Sequence, residues 1–189
     1  MYIGLYFGSF NPVHHGHLII ASFIAGHTPL NQVWFVVSPQ NPFKVSHSLL
    51  NEYQRLHLVR TAIEGEPKLR ASDIEFHLPK PSYTIDTLAY LEEKYPQHRF
   101  AVIMGSDSFQ NLHKWKNADV LMQRYPVFVY KRAGFEVSAG QSTNITVLDA
   151  PLLQISATQI REMVQQGKSV RYLVPDSVKE EIEKNGYYR

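Results

Sequence analysis

The chain of 189 residues contains no cysteine, which excludes disulfides, cysteine metal sites and thiolate chemistry. Its net charge is only +2, too small to favour nucleic acid as a partner. The longest apolar run, around residues 18–25, is far shorter than the ~20 residues that span a bilayer. We therefore expect a cytoplasmic protein with no nucleic-acid or membrane partner, and formation of a homo-oligomer is left open.

Signatures of several other protein classes are also missing. The spacing G-x-G-x-x-G of dinucleotide-binding enzymes does not occur. Gly167-Lys168-Ser169 resembles the end of a P-loop, but Glu162 stands where that motif needs its first glycine. No repeat or heptad pattern indicates a solenoid or a coiled coil. We expect one domain over residues 1–189.

Short apolar runs alternate with amphipathic runs along the chain. Strands are predicted at 2–7, 32–38, 69–76, 99–104, 126–131 and 144–148, and helices at 18–24, 51–64, 84–95, 118–124, 156–166 and 175–185. This alternation is typical of an α/β fold, because parallel strands need crossover connections. We predict a Rossmann-like parallel sheet flanked by helices on both faces, with a small helical C-terminal part. Such sheets bind ligands beyond the carboxyl ends of their strands.

The crossing from the first strand to the first helix carries Phe7-Gly8-Ser9-Phe10-Asn11-Pro12-Val13-His14-His15-Gly16-His17. Glycine lets an anion approach the main chain, and the N–H groups of a helix start favour negative charge. His14 and His17 can donate hydrogen bonds to phosphate oxygens. The segment therefore predicts a polyphosphate site. The alternatives are a plain surface turn and a zinc site on His14, His15 and His17, for which no further ligand pattern is present.

A second helix start lies near the C-terminus, in Ile155-Ser156-Ala157-Thr158-Gln159-Ile160-Arg161. Ser156 and Gln159 form a capping-box pattern. The remaining N–H groups and the Thr158 hydroxyl can bind a phosphate, and Arg161 adds a permanent positive charge one turn along. This segment predicts a second phosphate contact.

Together the two segments resemble the H-x-G-H and I-S-x-T-x-I-R signatures of a nucleotidyltransferase superfamily. Three segments between them are similar to bacterial nicotinate-nucleotide adenylyltransferases: Pro81-Ser82-Tyr83-Thr84-Ile85-Asp86-Thr87-Leu88, Gly105-Ser106-Asp107 and His113-Lys114-Trp115-Lys116. The resemblance implies transfer of AMP from ATP to nicotinate mononucleotide. The products would be nicotinate adenine dinucleotide, a precursor in NAD biosynthesis, and pyrophosphate.

The resemblance also implies roles for individual residues. His14, His17 and Arg161 would be catalytic. The residues expected to bind ATP are Gly8, Ser9, Phe10, His14, His17, Gly105, Asp107, Ile155, Ser156, Thr158 and Arg161. Those expected to bind nicotinate mononucleotide are Ser9, Lys44, Tyr83, Thr84 and Trp115, with Phe109 as the alternative to Trp115 for covering the pyridine ring. Mg²⁺ would be held mainly by substrate phosphates and water, with no protein ligand.

The implied reaction needs no strong general base, because a phosphate monoester is already anionic above its second pKa of ~6. Three positions depart from the family pattern: Phe7, Asn11 and Ala157 stand where many members have glycine, aspartate and serine. Asn11 leaves open any role of its position in organising a metal. Two alternatives remain, namely another acceptor, such as nicotinamide mononucleotide or phosphopantetheine, and a non-catalytic nucleotide sensor.

Overall fold

The computed structural model describes residues 1–40, 49–135, 137, 144–151 and 153–189. Lys44, the predicted phosphate-binding lysine, lies outside the described residues. Within the described part of the chain, no helix has both the length and the apolar character that a membrane crossing requires.

Within the described residues, six parallel strands form one sheet. They are β1 Tyr2–Gly8, β2 Gln32–Val37, β3 Leu69–Ser72, β4 Arg99–Gly105, β5 Val127–Tyr130 and β6 Ile145–Leu148. Their order across the sheet is β3-β2-β1-β4-β5-β6. The order reverses between β1 and β4, so a crevice is expected beyond the carboxyl ends of these two strands.

Seven α-helices connect or follow the strands within the described residues. They are α1 His15–His27, α2 Glu52–Ala62, α3 Thr84–Lys94, α4 Ser106–Gln110, α5 Ala118–Arg124, α6 Ala157–Gln165 and α7 Asp176–Asn185. The short α4 was not predicted. The predicted extension of β3 to residue 76 is wrong, because Ile74–His77 forms a 3₁₀ turn closed by a bond from the Phe76 N–H to the Asp73 carbonyl, 2.9 Å.

Helices cover both faces of the sheet, as predicted. On one face Ala21 of α1, Val59 of α2 and Ile182 of α7 join a core with alternate strand residues such as Phe35. On the other face α3 and α5 contribute a second core with the intervening strand residues. Because successive side chains of a strand point to opposite faces, strands buried on both sides read as nearly continuous apolar runs.

The C-terminal part packs onto the first of these cores. Ile160 of α6 and Val178 of α7 are fully buried there, and α7 ends at Gly186, which has a left-handed conformation with φ 65°. The Leu173 carbonyl accepts a hydrogen bond from the His15 N–H at the start of α1, 3.0 Å. We propose on this basis that residues 1–189 form one domain.

Candidate active site

A cleft opens where the strand order reverses. Its lining includes Gly8 at the end of β1, Gly105 at the end of β4, and Tyr83, Thr84 and Trp115 from the segments beside them. The cleft holds about 850 Å³ of non-protein space, part of it open to solvent. Residues from both predicted substrate sets therefore meet at the position that the sheet topology favours.

The two predicted phosphate-binding motifs lie together, although about 140 residues separate them. Arg161 donates a hydrogen bond from Nη1 to the main-chain oxygen of Asn11, 2.7 Å away, in the loop that precedes α1. Ile155 is close enough to Gly16 that a side chain at Gly16 would touch it, with Cβ atoms 3.8 Å apart. The second motif therefore packs against the loop and the helix start that carry the imidazoles of the first motif.

The two histidines of the first motif stack on each other at the start of α1. The centroids of the His14 and His17 rings are 3.7 Å apart. The His14 N–H donates to Nδ1 of His17 at 3.3 Å, so a neutral His17 carries its proton on Nε2. The Phe10 ring packs edge-on against His17, with centroids 5.1 Å apart. These contacts hold both imidazoles in fixed positions.

His14 is buried, and burial is the main cause that lowers its pKa from 6.5 to about 4, with Arg132 and His15 adding to the effect. In the unfolded chain its pKa would be near 6.5. Below that value the unfolded state binds a proton that the folded state does not, so stability falls as the pH falls. We expect His14 to lower the free energy of unfolding by about 2 kcal/mol when the pH falls from 7 to 5. Urea unfolding at the two pH values measures the loss.

The control for this prediction is the variant His14→Gln, which retains a polar side chain of similar reach but does not titrate. Other groups contribute equally to both proteins, so the loss between pH 7 and pH 5 should be about 2 kcal/mol smaller in the variant. Equal losses in the two proteins would show that His14 titrates normally in the folded state.

Asn11 is a buried residue of the loop that precedes α1, and it is hydrogen-bonded to three other parts of the chain. Its side-chain oxygen accepts hydrogen bonds from the Leu50 N–H at 3.2 Å and from the Tyr188 hydroxyl at 2.9 Å. Its main-chain oxygen accepts from Arg161. Both lone pairs of the side-chain oxygen are thus engaged by protein donors, which makes Asn11 a structural residue and not an available metal ligand.

Ser9 and Phe10 form the turn that follows β1. The Phe10 side chain is buried, and its φ of 45° lies in the left-handed region. The Ser9 carbonyl accepts a 2.6 Å hydrogen bond from Arg55. Gly8 has no room for a side chain, because a Cβ atom there would lie 2.8 Å from the Phe10 ring. The turn therefore has a fixed shape and an accessible main chain at Gly8.

The end of β4 is equally crowded. A Cβ atom on Gly105 would lie 2.5 Å from a carboxylate oxygen of Asp107 and 2.9 Å from Cδ of Arg132. Gly105 is the N-cap residue of the short helix α4. Asp107 lies in the first turn and forms a 2.9 Å ion pair with Arg132, a residue that the sequence analysis missed. Arg132 adds a further positive charge near His14.

Tyr83, Thr84 and Trp115 all line the cleft. Tyr83 is the N-cap residue of α3, and the N–H groups of Thr84 and Ile85 have no acceptor among the described residues. Lys116 forms a 2.7 Å ion pair with Asp86 in the first turn of α3 and lies over the Tyr83 ring. These contacts tie the Trp115 segment to the start of α3. The cleft lining includes Trp115 but not its alternative, Phe109.

The C-terminal motif has the capped helix start that its sequence predicts. Ser156 caps α6 by accepting a hydrogen bond from the Gln159 N–H, 3.1 Å. The Thr158 hydroxyl accepts from Arg161 at 3.3 Å. Among the described residues, the Ala157 and Thr158 N–H groups have no protein acceptor. This helix start can therefore donate hydrogen bonds to an anion.

Comparisons with known proteins agree with this architecture. A family model described as cytidylyltransferase-like matches residues 5–163. A protein of Cytophaga hutchinsonii named "probable nicotinate-nucleotide adenylyltransferase" is 52% identical over 100% of this chain and 98% of its own length. A protein of the same name from Flavobacterium psychrophilum is 47% identical over the full length of both chains. This chain belongs to the nicotinate-nucleotide adenylyltransferase family. The enzyme class predicted from the sequence is thereby confirmed.

The fold of this adenylyltransferase also matches a solved structure. Nicotinic acid mononucleotide adenylyltransferase of Plasmodium falciparum, complexed with NaAD, has a TM-score of 0.83 and covers 99% of this chain and 97% of its own. The two sequences are only 20% identical, so the likeness concerns the fold. It confirms the Rossmann-like α/β architecture of this adenylyltransferase.

Proposed function

We propose that this chain joins ATP and nicotinate mononucleotide into nicotinate adenine dinucleotide, releasing pyrophosphate. The observation that carries the proposal is the cleft itself, which brings the start of α3 and Trp115 together with the glycine turns of β1 and β4. The start of α3 suits a pyridine carboxylate, and Gly8 in the cleft lining belongs to the first predicted phosphate-binding motif. The names of the relatives support the same pair of substrates.

In the proposed mechanism the phosphate of the mononucleotide attacks the α-phosphorus of ATP in line. A new P–O bond forms as the bond to the β-phosphate oxygen breaks, and pyrophosphate leaves as an anion. His14, His17 and Arg161 donate hydrogen bonds to phosphate oxygens on which charge accumulates. The N–H groups at the starts of α1 and α6 add partial positive charge. The chain thus acts by positioning two anions and by offsetting their repulsion.

A divalent cation is the expected cofactor of such a reaction, because it neutralises charge on ATP phosphates. Within the described residues, no three His, Asp or Glu side chains form a cluster that fits a metal ion. The side-chain oxygen of Asn11 is already occupied by two donors. These observations support our proposal that Mg²⁺ is held by substrate phosphates and water.

The start of α3 predicts a preference for an acid over an amide acceptor. Its N–H groups and helix dipole favour a carboxylate, and a carboxamide carries no charge. We expect kcat/KM for nicotinate mononucleotide to exceed that for nicotinamide mononucleotide by at least about tenfold. Pyrophosphate release with ATP and each acceptor measures both values. Equal efficiencies would contradict the assignment of the α3 start as the carboxylate site.

The same assay separates the alternative functions. Pyrophosphate release with phosphopantetheine, but not with nicotinate mononucleotide, would indicate a different acceptor. Binding of ATP without pyrophosphate release for any of the three acceptors would indicate a nucleotide sensor. The proposed function requires turnover with nicotinate mononucleotide.

A further inference from the structure

Glu75 is a buried carboxylate in the wall of the cleft. It lies in the 3₁₀ turn Ile74–His77, is only 2% exposed, and lines the cleft beside Ser82, Tyr83 and Thr84. It forms no ion pair with any described residue. An anion buried without a cation is costly, and it stands in the part of the cleft that we assign to an anionic group. The negative charge of Glu75 therefore does not help to bind an anionic substrate, and does not explain why this residue lies in the cleft.

The hydrogen bonds of Glu75 give a different reason. The Ser82 hydroxyl donates to Oε2 at 2.8 Å, and the Thr87 hydroxyl donates to Oε1 at 2.9 Å. A third hydroxyl, that of Ser38 after β2, also bonds to the carboxylate. Burial raises the pKa of Glu75, and these three hydrogen bonds oppose the rise.

These contacts hold the start of α3 from both sides. Ser82 immediately precedes the N-cap residue Tyr83, and Thr87 lies one turn into the helix. The Thr87 hydroxyl also lies 3.2 Å from the Tyr83 carbonyl. Between these two anchors are Thr84 and Ile85, whose N–H groups point to no described acceptor. Ser38 connects the same carboxylate to the end of β1, because its N–H donates to the Gly8 carbonyl at 2.9 Å.

We infer that Glu75 is a positioning residue. Through Ser82 and Thr87 it holds the start of α3 in the position in which the helix N–H groups bind the carboxylate of the acceptor nucleotide. The inference rests on the proposed function. Glu75 acts by holding α3 in place and not by its charge, because its own carboxylate repels the carboxylate of the substrate. Geometry and charge therefore predict opposite effects of removing the side chain.

Two variants separate geometry from charge. Glu75→Gln removes the charge but keeps contacts to both hydroxyls, because a hydroxyl can accept from the amide as well as donate to its oxygen. Glu75→Ala removes charge and contacts together. We expect Glu75→Ala to raise KM for nicotinate mononucleotide about tenfold and leave KM for ATP within about twofold. We expect both KM values of Glu75→Gln to stay within about threefold of those of the wild type.

The preference for the acid over the amide acceptor is the second readout. In Glu75→Ala this ratio of kcat/KM values should fall about tenfold, because a misplaced helix start loses the carboxylate but not the amide. Thr87→Val removes one of the two contacts with little change in volume, so the ratio should fall less in this variant. Thr87→Val takes the place of Glu75→Ala in the test if Glu75→Ala does not fold. Glu93→Ala, at the exposed far end of α3, is the control.

The outcomes are distinct. An unchanged ratio in Glu75→Ala, or in Thr87→Val if only that variant folds, would overturn the positioning role while leaving the proposed function intact. A lower KM for nicotinate mononucleotide in both Glu75 variants would overturn it in favour of simple repulsion. Wild-type protein that does not turn over nicotinate mononucleotide would overturn the proposed function and the inference together.

Discussion

Replacing His17 by alanine is expected to lower kcat by about 100-fold or more, because the transition state loses a fixed hydrogen-bond donor. His17 stacks on His14 and packs against Phe10, and its Nδ1 accepts the His14 N–H. We propose that a neutral His17 donates its Nε2 proton to a phosphate oxygen of the substrate. Steady-state pyrophosphate release at saturating ATP and nicotinate mononucleotide measures the change.

A second variant separates this role from helix capping. In His17→Asn the side-chain oxygen can replace Nδ1 as the acceptor for the His14 N–H, but the donor at Nε2 is lost. We expect His17→Asn to be nearly as slow as His17→Ala. His27→Ala, an exposed histidine at the far end of α1, controls for changes in the helix. Wild-type kcat in His17→Asn would mean that His17 only caps the helix.

The fold was predictable from the sequence because a parallel sheet covered on both faces leaves a strong pattern. Each buried strand reads as an apolar run, and each helix separates two such runs. The order of the strands leaves no such trace, since it depends on how the crossovers pack. The short helix α4 was missed because its five residues bury little besides Ser106, so no apolar periodicity marks them.

The residues that we propose bind phosphate could be identified in the sequence because they occur as compact motifs at two helix starts. The resemblance assigns both motifs to ATP, and the hydrogen bond from Arg161 to Asn11 shows that they are in direct contact. Their roles as catalytic and binding residues remain predictions for the experiments above. Arg132 was missed because its partner, Asp107, lies 25 positions away, in the helix that follows a different strand.

Buried polar residues that act through the main chain were the hardest to predict. Glu75 and Arg55 bond to hydroxyls or carbonyls of distant segments, and such partners have no sequence signature. For Arg55 one signal was available, because it lies four residues before the buried Val59 and thus on the apolar face of α2. An arginine in that position implies buried hydrogen-bond acceptors nearby.

Arg55 supports the prediction with the largest expected effect on stability. Its side chain is fully buried and donates to four main-chain carbonyls, those of Leu50, Ser9, Ser38 and Pro39, at 2.9, 2.6, 2.8 and 3.1 Å. Burial lowers the pKa of this guanidinium group. The group joins the turns that follow β1 and β2 to the start of α2.

Replacing Arg55 by leucine is expected to lower the free energy of unfolding by about 3 kcal/mol, because several buried carbonyls lose their donor. The gain from no longer burying a charge keeps the loss below the sum of the individual bonds. Arg55→Lys should lose less, since its ammonium group keeps the charge and up to three donors. Arg60→Leu, at an exposed position of the same helix, should change little. Urea unfolding, analysed with one common dependence of the free energy on urea concentration, measures all three variants. Equal midpoints for Arg55→Leu and Arg60→Leu would show that water or rearranged main chain satisfies these carbonyls equally well.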